Sequence, residues 1–274
     1  MPPARPHPLS VGIAGLGTIG MALARRLHAG VPHLRLAAAT SGDADRARAR
    51  LGAAGIEAPV LPLAALVGAS DVVVECAPAA AFRGIAEAAV AAGRIFMPLS
   101  VGALLDHLDL VDHAAGQGAR IIVPTGALIG LDAVRAAAEG TIHSVTLVSR
   151  KPPAGLIGAP YLVERGISLA GLAAPLRVFA GNARDGARGF PANVNIAAAL
   201  GLAGIGPERT ALEIWADPTV TRNTHRIEVE ADSARFAMTI ENVPSAENPR
   251  TGKITALSVI ACLRGLTGTL KVGT

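Results

Sequence analysis

LSVGIAGLGTIG, residues 9–20, is the most informative segment of the chain for predicting its fold. Its first half is a short apolar run that is typical of a buried strand, and its second half holds glycines at positions 15, 17 and 20. We predict a helix over residues 18–29 directly after them. In a chain with 31 glycines the spacing alone would be weak, but a strand, a G-x-G-x-x-G turn and a helix in this order predict a dinucleotide-binding loop.

The three glycines have separate tasks in such a loop. Gly15 allows a tight turn, Gly17 lets the backbone approach a pyrophosphate, and Gly20 permits close packing of the helix on the strand. The helix N-terminus at Thr18 and Ile19 offers N–H groups and a partial positive charge to the phosphates. We therefore predict that these five residues bind NAD or NADP.

Alternating strands and helices continue from this stretch to residue 125. Strands are predicted at 34–39, 72–76, 95–99 and 120–123, and helices at 43–51, 80–92 and 104–117. Continuous apolar strands separated by helices indicate a parallel sheet covered on both faces. The predicted fold class is α/β, with a Rossmann-type doubly wound parallel sheet in residues 1–125.

The sequence changes character after Pro124. Stretches rich in β-formers or alternating in polarity cover 141–149, 177–180, 225–231 and 234–241, and Asp232 and Ser233 lie between the last two like a hairpin turn. This pattern favours a second, α+β substrate domain over residues 126–250. A strongly apolar helix is predicted at 254–264, so we expect it to be buried and residues 251–274 to pack back on the first domain.

Composition argues against several classes of protein. The net charge is only +4 and the basic residues are scattered, which disfavours a nucleic-acid surface. No apolar run reaches the roughly 18 residues of a membrane span, and the ordered glycines near the N-terminus disfavour a signal peptide. The two cysteines form neither a metal pattern nor a disulfide framework. We expect a cytoplasmic protein without a metal site.

The second strand ends without the acidic residue that usually accepts a hydrogen bond from the ribose 2′-hydroxyl of NAD. Thr40 and Ser41 stand there instead, and Asp43 comes slightly late. The two hydroxyls, with Arg46 nearby, could hold a 2′-phosphate. NAD, NADP or both therefore stay open as the cofactor.

Two further loops follow predicted strand ends. Ligands of open α/β sheets bind at the carboxyl ends of the strands. We therefore predict that Ala77 and Ser100 also contact the cofactor. Cys76 could be a thiol nucleophile, as in semialdehyde dehydrogenases of similar architecture, but we favour a small buried hydrophobic role for it.

Histidine is the side chain whose unperturbed pKa suits acid–base chemistry near neutrality. His225 follows a polar approach, residues 217–224, to a predicted strand. A half-buried structural histidine is the competing interpretation. The remaining histidines are interpreted mainly as leader, surface or strand residues: His7, His28, His33, His107, His113 and His143.

Five segments together resemble the L-aspartate dehydrogenase family. They are residues 11–20, 124–132, 149–153, 190–195 and 241–249, in the same order and spread over nearly the whole chain. The resemblance implies a homodimer that oxidises L-aspartate with NAD(P) to iminoaspartate, which hydrolyses to oxaloacetate and ammonia. It also implies that His225 is the catalytic histidine and that Ala127 and Asn195 contact the nicotinamide side of the cofactor.

The chemistry of the implied reaction nominates further residues. An amine must be neutral before its α-hydrogen can leave as hydride, so we expect the imidazole of His225 to take the ammonium proton or to activate water beside the redox ring. The two substrate carboxylates need cationic or N–H donors. We nominate Lys151 and, as a weaker candidate, Arg250, while Asn193 is either a substrate contact or the cap of the following helix.

Two other functions stay open. A reductase or dehydrogenase of the dihydrodipicolinate or diaminopimelate type shares the two-domain plan, but it would need a denser basic cluster than this sequence contains. A non-catalytic NAD(P) sensor would need only the glycine loop, and the histidine at the matched catalytic position argues against it.

Overall fold

The computed structural model describes residues 7–191, 194–245, 247, 248 and 251–273, and the predicted site residues Asn193 and Arg250 lie outside this range. The chain forms two compact units. Unit 1 consists of Met1–Ser100, Asp106–Pro124 and Ala256–Lys271, and unit 2 of Val101–Leu105, Thr125–Thr255 and Val272–Thr274. No helix of the described residues is long and apolar enough to cross a membrane.

The elements are numbered in chain order. Up to Pro124 they are β1 (Leu9–Ala14), α1 (Thr18–His28), β2 (Leu34–Thr40), α2 (Ala44–Ala53), α3 (Leu63–Gly68), β3 (Val72–Glu75), α4 (Phe82–Ala91), β4 (Ile95–Pro98), α5 (Val101–Leu104), α6 (Asp109–Gln117) and β5 (Arg120–Ile121). Those that follow are α7 (Leu131–Ala138), β6 (Ile142–Lys151), α8 (Pro160–Glu164), β7 (Leu176–Asn182), α9 (Ala183–Gly189), α10 (Asn195–Ala203), β8 (Thr210–Ala216), β9 (Asn223–Ala231), β10 (Arg235–Asn242) and α11 (Lys253–Gly265).

Unit 1 is built on a parallel sheet. Within the described residues its strands lie in the order β2-β1-β3-β4-β5, and every pair is parallel. β1 and β3 are buried along their whole length, because helices cover both faces of the sheet. The predicted Rossmann-type sheet is confirmed.

The last helix belongs to the core of unit 1. Val259, Ile260 and Leu263 of α11 pack in the same apolar cluster as β1 and α1. Leu257, on the other side of α11, is 63% exposed. The helix is therefore buried on one face, where it meets the core, and exposed on the other.

The predicted helix over residues 104–117 is also wrong, because it is broken. The segment begins as α5, tightens into a 3-10 turn at Leu105–His107 and restarts as α6. The backbone N–H of Gly102 donates to Asn195 Oδ1 at 2.9 Å, and the carbonyl of Leu105 accepts from Arg184 at 2.9 Å. These bonds hold α5 in unit 2, whereas α6 packs on α4 in unit 1.

Unit 2 is a mixed sheet with helices, as the α+β prediction expects. The described strands lie in the order β10-β9-β6-β8-β7; β6 is parallel to β8 and antiparallel to β9. The predicted hairpin is confirmed, since β9 and β10 pair on either side of Asp232 and Ser233. β8 is missing from the prediction, although its side chains alternate between buried and more exposed positions.

One face of the unit 2 sheet is covered by helices. Alternate residues of β9, from His225 to Ala231, are buried, and so are alternate residues of β6 from Val145 to Lys151. The apolar residues of α10 pack over this face, beside α7 and α9. Polar side chains on the same face are therefore removed from bulk water.

The space around the three glycines of the loop explains why glycine is needed at two of these positions. Gly15 has a φ of +102°, and a Cβ at this position would lie 2.5 Å from the carbonyl oxygen of Cys76. A Cβ on Gly20 would overlap the carbonyl oxygen of Gly15, whereas a Cβ on Gly17 would meet nothing within 4 Å. Gly15 and Gly20 are thus required by the fold itself, and Gly17 borders open space.

We expect Gly20→Ala to lower the free energy of unfolding by about 1–3 kcal/mol, because the new methyl group overpacks the contact between α1 and the preceding turn. Gly84→Ala, within α4, is the matched control, because a Cβ there would meet nothing within 4 Å; it should not lower the free energy of unfolding. Urea unfolding of both variants measures the difference. Equal stability of the two variants would show that the backbone around position 20 has room for a methyl group.

Candidate active site

A cavity of about 880 Å³ lies at the carboxyl ends of β1, β2 and β3 in unit 1. Five of the predicted cofactor residues line it: Gly15, Gly17, Thr40, Ser41 and Ala77. Three others, Thr18, Ile19 and Gly20, form the first turn of α1. The cavity therefore lies where ligands of open α/β sheets bind.

The N-terminus of α1 is open to an anion. Gly17 is its N-cap residue and supplies no side-chain cap, and the first turn contains no acidic residue. The first N–H groups of a helix have no acceptor within it, so they are available to a phosphate. With the open space beside Gly17, these residues fit the pyrophosphate of a dinucleotide.

Glu75, at the end of β3, is a site residue that the sequence interpretation missed. Its carboxylate accepts hydrogen bonds from Ala77 N at 2.8 Å, Leu99 N at 3.2 Å, Ser100 N at 2.9 Å and Ser100 Oγ at 3.1 Å. Burial raises the pKa of Glu75, and these bonds oppose the rise. The carboxylate joins the loops that follow β3 and β4, and it thereby positions one wall of the cavity. The sequence did contain a signal for this residue, since a single acidic side chain follows three valines at the end of a predicted strand.

Cys76 lines the same cavity. Burial, and then the negative charge of Glu75, raise the pKa of its thiol well above the usual value. Only the thiolate is an effective nucleophile. The structure therefore supports a packing role for Cys76 over a catalytic one.

In unit 2, His225 lies on the covered face of the sheet. It is directly opposite Ser149 in the antiparallel pair of β9 and β6, and its Nδ1 lies 3.0 Å from Ser149 Oγ. Its side chain is buried. Burial, and then the charge of Lys151, lower the pKa of His225 to about 3, so the imidazole is neutral at pH 7.

Lys151 is the last residue of β6 and lies two positions beyond Ser149, on the same face of the strand. It is buried, and this desolvation lowers its pKa to about 8. Removing a cation from water is costly unless a partner compensates it. Unit 2 thus brings His225, Ser149 and Lys151 together, a grouping that is suited to binding an anion and moving a proton.

The remaining predicted residues have structural partners. Asn195 begins α10, and its Oδ1 accepts the bond from Gly102 described above. The carbonyl of Ala127 accepts from Asn242 Nδ2 at 3.0 Å. Asn242 is buried within the segment 241–249 that the sequence singled out, but it was not itself predicted. Contacts of Asn195 and Ala127 with a cofactor stay predictions.

Among the residues that the structure describes, no group of three or more His, Cys, Asp or Glu side chains is arranged to hold a metal ion.

The pKa of His225 predicts how stability responds to pH. Because the folded value of about 3 lies below the usual 6.5, the unfolded chain binds the proton first, and stability falls as the pH drops from about 6.5 toward 3. Between pH 7 and pH 5 this group alone should remove about 2 kcal/mol from the free energy of unfolding. In His225→Asn that drop should be smaller by the same amount, as measured by urea unfolding at both pH values.

His143→Asn is the control for this comparison, because His143 lies exposed on β6 of the same sheet. Its stability should fall with pH as the parent's does. A parallel fall in the parent and in His225→Asn would contradict a neutral, buried imidazole.

Two protein families match successive parts of the chain. Residues 15–124 match the family described as homoserine dehydrogenase, NAD binding domain, and residues 132–266 match the family described as aspartate dehydrogenase, C-terminal. The crystal structure of aspartate dehydrogenase from Thermotoga maritima has a similar fold, with a TM-score of 0.72 at 23% identity. It covers 97% of this chain and 100% of that one.

Two relatives extend the similarity over nearly the full length. The L-aspartate dehydrogenase of Bradyrhizobium diazoefficiens is 58% identical over 97% of this chain and 94% of its own. L-aspartate dehydrogenase 3 of Bordetella bronchiseptica is 53% identical over 97% of this chain and 98% of its own. With the cavity at the glycine loop and this level of identity, the chain belongs to the L-aspartate dehydrogenase family.

Proposed function

We propose that the protein is an NAD(P)-dependent L-aspartate dehydrogenase in which His225 is the acid–base residue. It oxidises L-aspartate to iminoaspartate by hydride transfer, and the imine hydrolyses to oxaloacetate and ammonia. The observation that carries the proposal is the neutral, buried imidazole of His225, held by Ser149 on the same sheet face as Lys151. Near-full-length identity of 58% to a relative named L-aspartate dehydrogenase supports the choice of substrate.

NAD(P), when bound, supplies the acceptor for the hydride that leaves the α-carbon. The protein must first make the substrate amine neutral, because the nitrogen of an ammonium group has no free electron pair with which to form the C=N bond of the imine. His225 is suited to this task, since its ring is uncharged at pH 7 and can accept a proton. In the tautomer whose Nδ1–H donates to Ser149 Oγ, Nε2 carries no hydrogen and is the nitrogen that receives the proton.

A histidine with a pKa of about 3 is a weak base until substrate binds. Burial is the main cause of this low pKa, and the positive charge of Lys151 lowers it further. A substrate carboxylate placed against Lys151 would neutralise that charge, and a nearby anion favours the protonated imidazole. Binding of the dicarboxylate thus raises the basicity of His225 when it is needed.

Lys151 is the side chain that we propose for recognising a substrate carboxylate. Desolvation makes its ammonium form costly in the free protein, so an incoming anion gains more there than at a solvated lysine. The same argument favours L-aspartate over amino acids with uncharged side chains. Asn193 and Arg250 stay proposals from sequence for the same substrate.

We also propose a homodimer that works in the cytoplasm. The dimer is supported by the family, and the location by the two cysteines, which are both free thiols. Analytical ultracentrifugation of the purified protein tests the assembly.

His225→Asn should lower kcat for L-aspartate by roughly 10²–10⁴-fold, the usual contribution of a general acid–base residue. The assay is NAD(P)H formation at 340 nm with L-aspartate at alkaline pH. Cofactor affinity should stay unchanged, because His225 does not line the cavity at the glycine loop. His143→Asn, an exposed substitution on the same sheet, should keep the parent's activity.

Two outcomes would contradict this proposal. A parent protein that binds NAD(P) but gives no signal with L-aspartate would favour a sensor or a reductase of another substrate. A His225→Asn variant with full activity would remove the assigned role from this residue.

Lys151→Met should raise KM for L-aspartate about 10-fold or more, because it removes one charge-assisted contact to a carboxylate. Affinity for the cofactor should not change, as measured by fluorescence titration with NADH and NADPH. Lys253→Met, an exposed substitution at the start of α11, is the matched control. An unchanged KM in Lys151→Met would show that another group binds the carboxylates.

A further inference from the structure

The rim of the unit 1 cavity is cationic where β2 ends. Thr40 is the last residue of this strand, and it lines the cavity together with Ser41, Arg46 and Arg50. In a dinucleotide-binding fold this rim lies beside the 2′ position of the adenosine ribose. Its side chains therefore decide whether a 2′-hydroxyl or a 2′-phosphate is bound there.

Asp43 is the carboxylate at this rim, and it already has a structural task. It is the N-cap residue of α2, and its Oδ1 accepts a hydrogen bond of 2.9 Å from the backbone N–H of Arg46. An N-cap carboxylate lies at the start of its helix and is held there by this bond. Asp43 is thus used to begin α2, whereas an acid at the end of β2 would be directed at the ribose.

Two arginines of α2 line the cavity one helical turn apart. Arg50 donates from Nη1 to the carbonyl of Leu16 at 2.6 Å, which fixes α2 against the glycine loop. Arg46, four residues earlier, is exposed, and within the described residues its guanidinium makes no ion pair. Arg48, in contrast, pairs with Asp45 and does not line the cavity.

We propose that this chain selects the 2′-phosphorylated cofactor, NADP(H), and that Arg46 is the specificity-determining residue, assisted by the hydroxyls of Thr40 and Ser41. The inference rests on the proposed NAD(P)-dependent function and deepens it. A guanidinium without a carboxylate partner offers the forked donors that a phosphate dianion accepts. A 2′-hydroxyl could use neither the charge nor the second donor.

Isothermal titration of the purified full chain with 2′,5′-ADP and with 5′-AMP tests this directly, because the two nucleotides differ only in the 2′-phosphate. We expect 2′,5′-ADP to bind at least ~10-fold more tightly. Arg46→Ala should remove this preference and change the Kd of 5′-AMP by less than about 2-fold. Arg48→Ala, on the same helix but outside the cavity, should leave both values as in the parent.

Asp43→Asn provides a second, independent measurement. Asparagine caps a helix as well as aspartate does, so the variant removes the charge and keeps α2 intact. We expect 2′,5′-ADP to bind as tightly as before or more tightly. If Asp43 instead accepted the ribose hydroxyls of NAD, the variant would weaken binding of 5′-AMP, and the inference would be overturned.

The remaining outcomes separate this inference from the proposed function. If 5′-AMP binds as well as 2′,5′-ADP, or if Arg46→Ala weakens both equally, selection of the 2′-phosphate is refuted and the dehydrogenase proposal stands. If neither nucleotide binds, the cavity does not hold the adenosine end of the cofactor and this inference fails, whereas NAD(P)H formation with L-aspartate still decides the dehydrogenase proposal.

Discussion

The contact on which unit 1 depends is the one between Gly20 and the carbonyl of Gly15, where no Cβ has room. It lets α1 begin immediately after β1 and directs the N-terminus of the helix to the carboxyl edge of the sheet. The unpaired N–H groups there, the space beside Gly17 and the cavity all follow from this approach. Glu75 completes the arrangement, because one buried carboxylate positions the two neighbouring loops through hydrogen bonds.

In unit 2, polar side chains lie among apolar ones on the sheet face that the helices cover. Ser149, Lys151 and His225 are buried where the alternation of β6 and β9 would otherwise place apolar side chains. Both ionisable groups have lowered pKa values because burial disfavours their charged forms. At pH 7 the grouping therefore combines a neutral imidazole with a buried ammonium group.

The start of α2 shows that the role of a carboxylate depends on its partner. From sequence, Asp43 is an acid that comes slightly late for the ribose, and its meaning stays open. In the structure it caps α2. The helix that it begins carries Arg46 and Arg50 along the cavity, so the carboxylate that caps α2 also helps to place these two cations.

Elements with a local signal can be predicted from the sequence: the glycine loop between β1 and α1, the buried parallel strands, and the alternating strands β9 and β10 with their turn. The family can be recognised as well, because motifs along the chain carry that likeness. Features that depend on distant partners become visible in the tertiary structure only. The break between α5 and α6 results from hydrogen bonds to Asn195 and Arg184. Glu75, at the end of β3, accepts a hydrogen bond from Ser100, which follows the neighbouring strand β4. Likewise His225 finds Ser149 only because β9 and β6 pair in one register, and a side chain's burial, and with it its pKa, is set by that packing.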